Sequence, residues 1–184
     1  MTATTSGNST LSTKGAEAPR PPDATRRLAE RLGEQLQNRG WRVATAESCT
    51  GGGIAAALTE VAGSSAWFEY GLVTYANRAK QQLLGVSEQS LAQEGAVSEA
   101  VVREMAEGAL HLSGAELAIA VSGVAGPGGG TPEKPVGTVW LGWAQGGEAP
   151  VTGARCYRFE GDRAQVREQT VIAALEILSG LAGP

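Results

Sequence analysis

Five short apolar runs, at 42–46, 71–75, 117–122, 137–143 and 155–159, are separated by stretches with the spacing of helices. This alternation constrains the fold more than any other feature, because a strand that rejoins a sheet in parallel needs a crossover long enough to hold a helix. Helical patterns fill the crossovers at 52–61, 79–84, 87–94 and 98–112, and another covers 163–181. Ahead of the first run, Leu28, Leu32 and Leu36 recur every four residues among charges, which predicts an amphipathic helix ending near Asn38-Arg39-Gly40. The connection between the fourth and fifth runs contains Gly146, Gly147 and Pro150 and is too short for a helix. That pair reads as an antiparallel hairpin. The expected fold class is α/β: a single three-layer α/β/α domain with a mixed, mostly parallel five-stranded sheet.

Composition bounds the function. Residues 1–22 are mainly Thr, Ser, Gly, Ala and Pro, too poor in large apolar side chains to offset ordering entropy, so they read as a disordered leader. Pro21-Pro22-Asp23 marks the boundary, and 23–184 is the expected domain. A formal charge of −4 argues against binding along a nucleic-acid backbone. The two cysteines, Cys49 and Cys156, are no disulfide framework. No run is long enough to span a bilayer, and the N-terminus lacks a basic-then-apolar signal pattern. The expectation is a soluble, cytoplasmic protein with no membrane or nucleic-acid partner.

Ligands of such folds sit beyond the carboxyl ends of the strands. Three segments lie there. In the first, the 42–46 run leads through Glu47, Ser48, Cys49, Thr50, Gly51, Gly52 and Gly53 into a helical segment. A hydroxyl at a strand-to-helix turn, beside free N–H groups, supplies a nucleophile and an anion site together; it also serves as an ordinary helix cap. The second segment is Val73-Thr74-Tyr75-Ala76-Asn77-Arg78-Ala79-Lys80. Here Tyr75 finishes the strand, Asn77 caps the next helix, and a desolvated Lys80 is a base for a serine, with Tyr75 relaying a proton or holding the lysine. A solvated lysine on an amphipathic helix is the plainer alternative. The third runs Ser122, Gly123, Val124, Ala125, Gly126, Pro127, Gly128, Gly129, Gly130. Glycine N–H groups make concave anion sites, and Lys134 at the far end is placed to meet a phosphate; a flexible loop is the alternative. No Gly-Lys-Ser/Thr follows, so this is not a Walker A loop.

The only histidine, His111, falls in a helical segment, which excludes a Ser-His-Asp triad and a multi-histidine metal site. Cys49 is a rival to Ser48 as nucleophile. Before the last helix, Asp162 reads as a cap, and Arg163 as either a phosphate clamp or an exposed arginine.

The ordered series Thr45 to Gly52, Gly63-Ser64-Ser65-Ala66-Trp67-Phe68, Val73 to Asn77, Ala79-Lys80, Gly95-Ala96-Val97-Ser98-Glu99, Ser122 to Pro127 and Lys134-Pro135-Val136-Gly137-Thr138-Val139 resembles the CinA C-terminal-domain family. The resemblance runs from about residue 24 to the C-terminus. It implies hydrolysis of the carboxamide of nicotinamide mononucleotide to nicotinate mononucleotide and ammonia, in pyridine nucleotide recycling, without a metal or other cofactor. The family's serine, lysine and tyrosine fall on Ser48, Lys80 and Tyr75. Donors in the turn Cys49, Thr50, Gly51 and Gly52 would hold the oxyanion. Asn77, Ser122, Gly123, Gly126, Gly128, Gly129, Lys134 and Arg163 would bind substrate. A homodimer is also implied. Longer members carry an N-terminal molybdopterin-cofactor-binding-like domain, whose activity is not carried over. The alternative is a non-catalytic nucleotide-binding or competence-associated partner module.

Overall fold

The computed structural model describes residues 24–147 and 150–183, so the leader expected over 1–22 lies outside the described residues. Its elements are α1 (Ala24–Arg39), β1 (Val43–Glu47), α2 (Gly53–Thr59), a 3-10 turn (Ser64–Ala66), β2 (Phe68–Val73), α3 (Asn77–Leu84), α4 (Glu88–Glu94), α5 (Glu99–Ser113), β3 (Leu117–Gly123), β4 (Thr138–Gln145), β5 (Val151–Arg158) and α6 (Arg163–Ala182). The strands form one sheet in the order β2-β1-β3-β4-β5. β1 pairs in parallel with β2 and β3, β4 runs antiparallel to β3, and β5 antiparallel to β4. Only β4 therefore points against the others, and the mixed, mostly parallel α/β sheet matches the expectation.

The period-2 alternation of the central strands decides which helices cover which face. Val43, Leu117, Ile119, Val121, Val139 and Leu141 point to one side, into a core with Leu32 and Leu36 of α1, Ile54 and Leu58 of α2, and Leu175 and Leu178 of α6. Each fully buried leucine or isoleucine there contributes roughly 1.5–3 kcal/mol. The other face is small: Ala44, Ala46, Ala118, Ala120 and Ala144 meet Leu84 of α3 and Val101, Met105, Ala106 and Ala109 of α5. Small side chains let α5 lie very near the sheet. A Cβ on Gly142 of β4 would stand 2.4 Å from the Val102 carbonyl oxygen, so only glycine fits there.

Two strands differ clearly from expectation, and one of them is β5, which covers Val151–Arg158 rather than 155–159. The other, the second strand, covers 68–73 rather than 71–75. Gly71 reads as a strand start in sequence, but it lies inside β2, where a side chain would press on Ala55 at 3.0 Å and Phe68 at 3.1 Å. Tyr75 thus lies beyond the strand, in the loop before α3. No described helix is long and apolar enough to cross a membrane.

Candidate active site

β1 lies between β2 and β3, so the chain leaves it in opposite directions and a crevice opens beyond its carboxyl end. The Ser48 turn fills that position. Ser48 N–H donates to the Val121 carbonyl of β3 at 3.0 Å, and Thr74 N–H donates to the Glu47 carbonyl at 2.8 Å, tying the ends of all three parallel strands together.

Lys80 comes up from α3 beneath this turn. Its side chain is 1% exposed. Nζ lies 3.1 Å from Ser48 Oγ, 2.9 Å from the Thr74 carbonyl oxygen and 3.1 Å from the Tyr75 carbonyl oxygen. Among the described residues no carboxylate stands within ion-pair distance of it. Burial without a counter-ion disfavours the ammonium and holds the lysine pKa below its ordinary value, with a smaller opposing influence from Cys49. In its neutral form the amine keeps two N–H donors for the carbonyls of Thr74 and Tyr75 and turns its lone pair to the Ser48 hydroxyl. That is the arrangement of a serine with a general base.

Cys49 is also buried, but its thiol is pushed up to about 11, first by desolvation and further by the charge of Glu47. It is a neutral thiol at ordinary pH, which disfavours it as the nucleophile.

Tyr75 holds the lysine, one of its two expected roles, but through its main chain. Its ring is exposed and its hydroxyl accepts from Arg163 Nη2 at 3.2 Å, while its main-chain carbonyl, rather than the phenol, holds Lys80. Arg163 Nη1 donates to the Gly126 carbonyl at 2.9 Å, so Tyr75, Arg163 and the third loop do meet. Asn77 is the first residue of α3, not its cap; Ala76 holds the cap position, without a side-chain hydrogen bond. The Lys134 ammonium donates to the Glu94 carbonyl at the end of α4. Two of the loop glycines are explained by packing: a Cβ on Gly123 would lie 2.7 Å from Val139, and one on Gly126 would lie 2.6 Å from Val136. Ser122 is buried at the end of β3, and Gly128 and Gly129 are exposed.

The turn's donors also need correction. The Gly51 N–H donates to the Ser48 carbonyl at 3.1 Å and Gly52 N–H to Glu47 Oε2 at 3.0 Å, so neither is free for an oxyanion. Among the described residues, the Cys49 and Thr50 N–H groups donate to no backbone carbonyl, and the Cys49 N–H meets only its own thiol. The residue responsible is Glu47, which sequence reasoning passed over. Fully buried at the end of β1, its carboxylate also accepts from Ile54 N–H at 3.0 Å, Ala55 N–H at 2.8 Å and Thr50 Oγ1 at 2.6 Å. A carboxylate ending an apolar strand just before a glycine turn and a helix was the available signal, since that is where a helix N-terminus favours negative charge. Arg167 was missed as well. It donates to the Thr50 carbonyl at 2.6 Å, and its spacing of four residues from Arg163 on α6 could have revealed it. No cluster of described His, Cys, Asp or Glu side chains could hold a metal ion.

The CinA C-terminal domain model matches residues 25–182. A nicotinamide-nucleotide amidohydrolase of Pseudomonas putida is 60% identical over 149 residues, covering 81% of this chain and 91% of that protein. The nicotinamide-nucleotide amidohydrolase of Escherichia coli K12 is 54% identical over 151 residues, covering 82% and 90%. Among solved structures, the competence/damage inducible protein CihA of Agrobacterium tumefaciens superposes with a TM-score of 0.85 at 44% identity, over 90% of this chain and all of that one.

Proposed function

The chain belongs to the CinA C-terminal domain family, and from that premise we propose that it hydrolyses the carboxamide of nicotinamide mononucleotide, giving nicotinate mononucleotide and ammonia. The observation that carries the reading is the 3.1 Å approach of buried Lys80 Nζ to Ser48 Oγ. The names of the two amidohydrolase relatives, each covered over nine-tenths of its length, support the substrate class.

In the proposed reaction neutral Lys80 takes the Ser48 proton as Oγ adds to the amide carbon. The negative charge on the amide oxygen is held by the N–H groups of Cys49 and Thr50, neither of which donates to a backbone carbonyl; one such donor is worth about 3 kcal/mol in the transition state. Collapse breaks the C–N bond, and the Lys80 ammonium returns its proton to the leaving nitrogen, which departs as ammonia. Water then attacks the Ser48 ester, losing a proton to Lys80, and the acid leaves as Ser48 is reprotonated. Arg163, held between Gly126 and Tyr75, is the cation in this reading that faces the substrate phosphate. Tyr75 acts chiefly through its carbonyl, which aims the lysine. A homodimer in the cytoplasm completes the reading, and the exposed Tyr70 and Val73 on the edge strand β2 support its dimeric part.

The test is ammonia release from nicotinamide mononucleotide by wild type, Ser48→Ala, Lys80→Ala and Cys49→Ala. Loss in the first two variants with activity kept in the third is expected. Full activity in Ser48→Ala with loss in Cys49→Ala would overturn the nucleophile, and tight nucleotide binding without ammonia release by wild type would make the chain a binding module.

A further inference from the structure

Every polar group of Thr50 except its N–H has a fixed partner. The hydroxyl donates to Glu47 at 2.6 Å. The carbonyl accepts from Gly53 N–H at 3.3 Å and from Arg167 Nη2 at 2.6 Å. Glu47 holds the turn from its own strand, whereas Arg167 reaches it from α6, 117 residues further along the chain. The approach is close: a Cβ on Gly51 would lie 3.7 Å from Arg167 Nη2.

Arg167 is not placed like a residue kept only for stability. Among the described residues it has no carboxylate within ion-pair distance, and its buried Nε has no hydrogen-bond partner. An unpartnered buried N–H is costly, as is a half-buried charge without a counter-ion. Both costs fall beside the place where an amide oxygen would become negative, and there a fixed cation favours the transition state over the ground state.

We propose that Arg167 is a positioning residue for amide hydrolysis, holding the Thr50 carbonyl from α6 so that the Cys49 and Thr50 N–H groups remain set for the oxyanion. The proposal rests on the hydrolase reading above. Glu47 holds the Thr50 hydroxyl and Arg167 the Thr50 carbonyl, so Thr50 is fixed on both sides, and the adjoining peptide that carries its N–H, between Cys49 and Thr50, is left little freedom to rotate. A rotated peptide would aim its carbonyl, rather than its N–H, at the developing charge. Because the oxyanion exists only after attack, loss of the clamp is felt in kcat and not in KM.

The experiment compares kcat and KM for ammonia release from nicotinamide mononucleotide in wild type, Arg167→Met and Arg167→Lys, with thermal unfolding of all three. Arg167→Met is expected to lower kcat about 100-fold, the scale of a lost oxyanion donor, with KM within about twofold of wild type. Arg167→Lys retains a donor for the Thr50 carbonyl and should recover at least about tenfold of that loss. An unchanged kcat in Arg167→Met overturns the proposal. So does a rise in KM at constant kcat, which would make Arg167 a ground-state anchor for the phosphate. Equal loss in the Met and Lys variants, together with unfolding near the assay temperature, would leave it a structural residue only. If wild type releases no ammonia, the hydrolase reading itself falls and takes the proposal with it; activity in wild type separates the two failures.

Discussion

Lys80 carries its amine to a place where three oxygen atoms meet it and no counter-ion follows. A pH dependence follows from the direction of its shift. The neutral amine is the active form, so kcat/KM should rise with pH along a single limb whose midpoint lies below the ordinary lysine value of about 10.4. A pH–rate profile checks this, and a flat profile from pH 6 to 9 would deny Lys80 the role of base. Stability carries the same sign. Between the lowered folded pKa and about 10.4, the unfolded chain binds more protons at this site than the folded one, so stability gained from this group grows as pH rises. The stability difference between wild type and Lys80→Met, measured by urea unfolding, should therefore move in favour of wild type on going from pH 6 to 9. Cys49 shows the opposite shift, and its consequence is chemical: with a thiol held near 11, Cys49→Ala should keep kcat within a few-fold of wild type.

At the scale of elements, α2 depends on a cap that comes from another element. It has only seven residues, its N-cap is Gly52 in the left-handed conformation at φ 95°, and no cap side chain serves it. Glu47 of β1 takes that place, accepting from Gly52, Ile54 and Ala55 N–H. Hydrogen bonds to a charged acceptor are worth about 1.5–3 kcal/mol each. Glu47→Gln keeps one acceptor oxygen and adds a misplaced donor, so it should lose about 3 kcal/mol by chemical denaturation and lower kcat with it. The placement of α3 depends on close packing. A Cβ on Gly108 of α5 would stand 2.0 Å from the Leu84 carbonyl oxygen at the end of α3, and Lys80 is one turn earlier on that helix. Gly108→Ala must push α3 outward, at a cost of about 1–3 kcal/mol for an overpacked site. It should also lengthen the path from Lys80 to Ser48. A variant with unchanged Tm and kcat would contradict that packing.

Over the whole molecule, the sheet order decides what can meet. β1 is central, so its loop is flanked by those of β2 and β3, and Ser48 and Lys80 come within 3.1 Å although 32 residues separate them. β2 is one of the sheet's two edge strands, with Tyr70 43% exposed and Val73 50% exposed. An open edge of this kind pairs readily with a copy of itself. Light scattering should then give about twice the 18.8 kDa chain mass for wild type and a lower mass for Tyr70→Glu; a monomeric wild type would remove the dimer. The alternation of helices and strands, the β4–β5 hairpin and the amphipathic face of α1 were legible in the sequence, because each rests on periodicity within a dozen residues. Ser48 and Lys80 were legible as reactive side chains near strand ends. Lys80 was also legible as the base for that serine, and the 3.1 Å contact agrees; what was not legible was the use of the Tyr75 carbonyl instead of its phenol, the hydrogen bond of Lys134 to the Glu94 carbonyl, or the pairing of Glu47 and Arg167 around Thr50. The sequence by itself determined which elements form and which side chains carry reactive groups, since those follow from local geometry and intrinsic chemistry. Only the tertiary structure decided which N–H groups stay free, which cations lack a counter-ion and how closely the base approaches the serine. Those depend on burial and on partners supplied by distant segments, and neither is a property of a local stretch of chain.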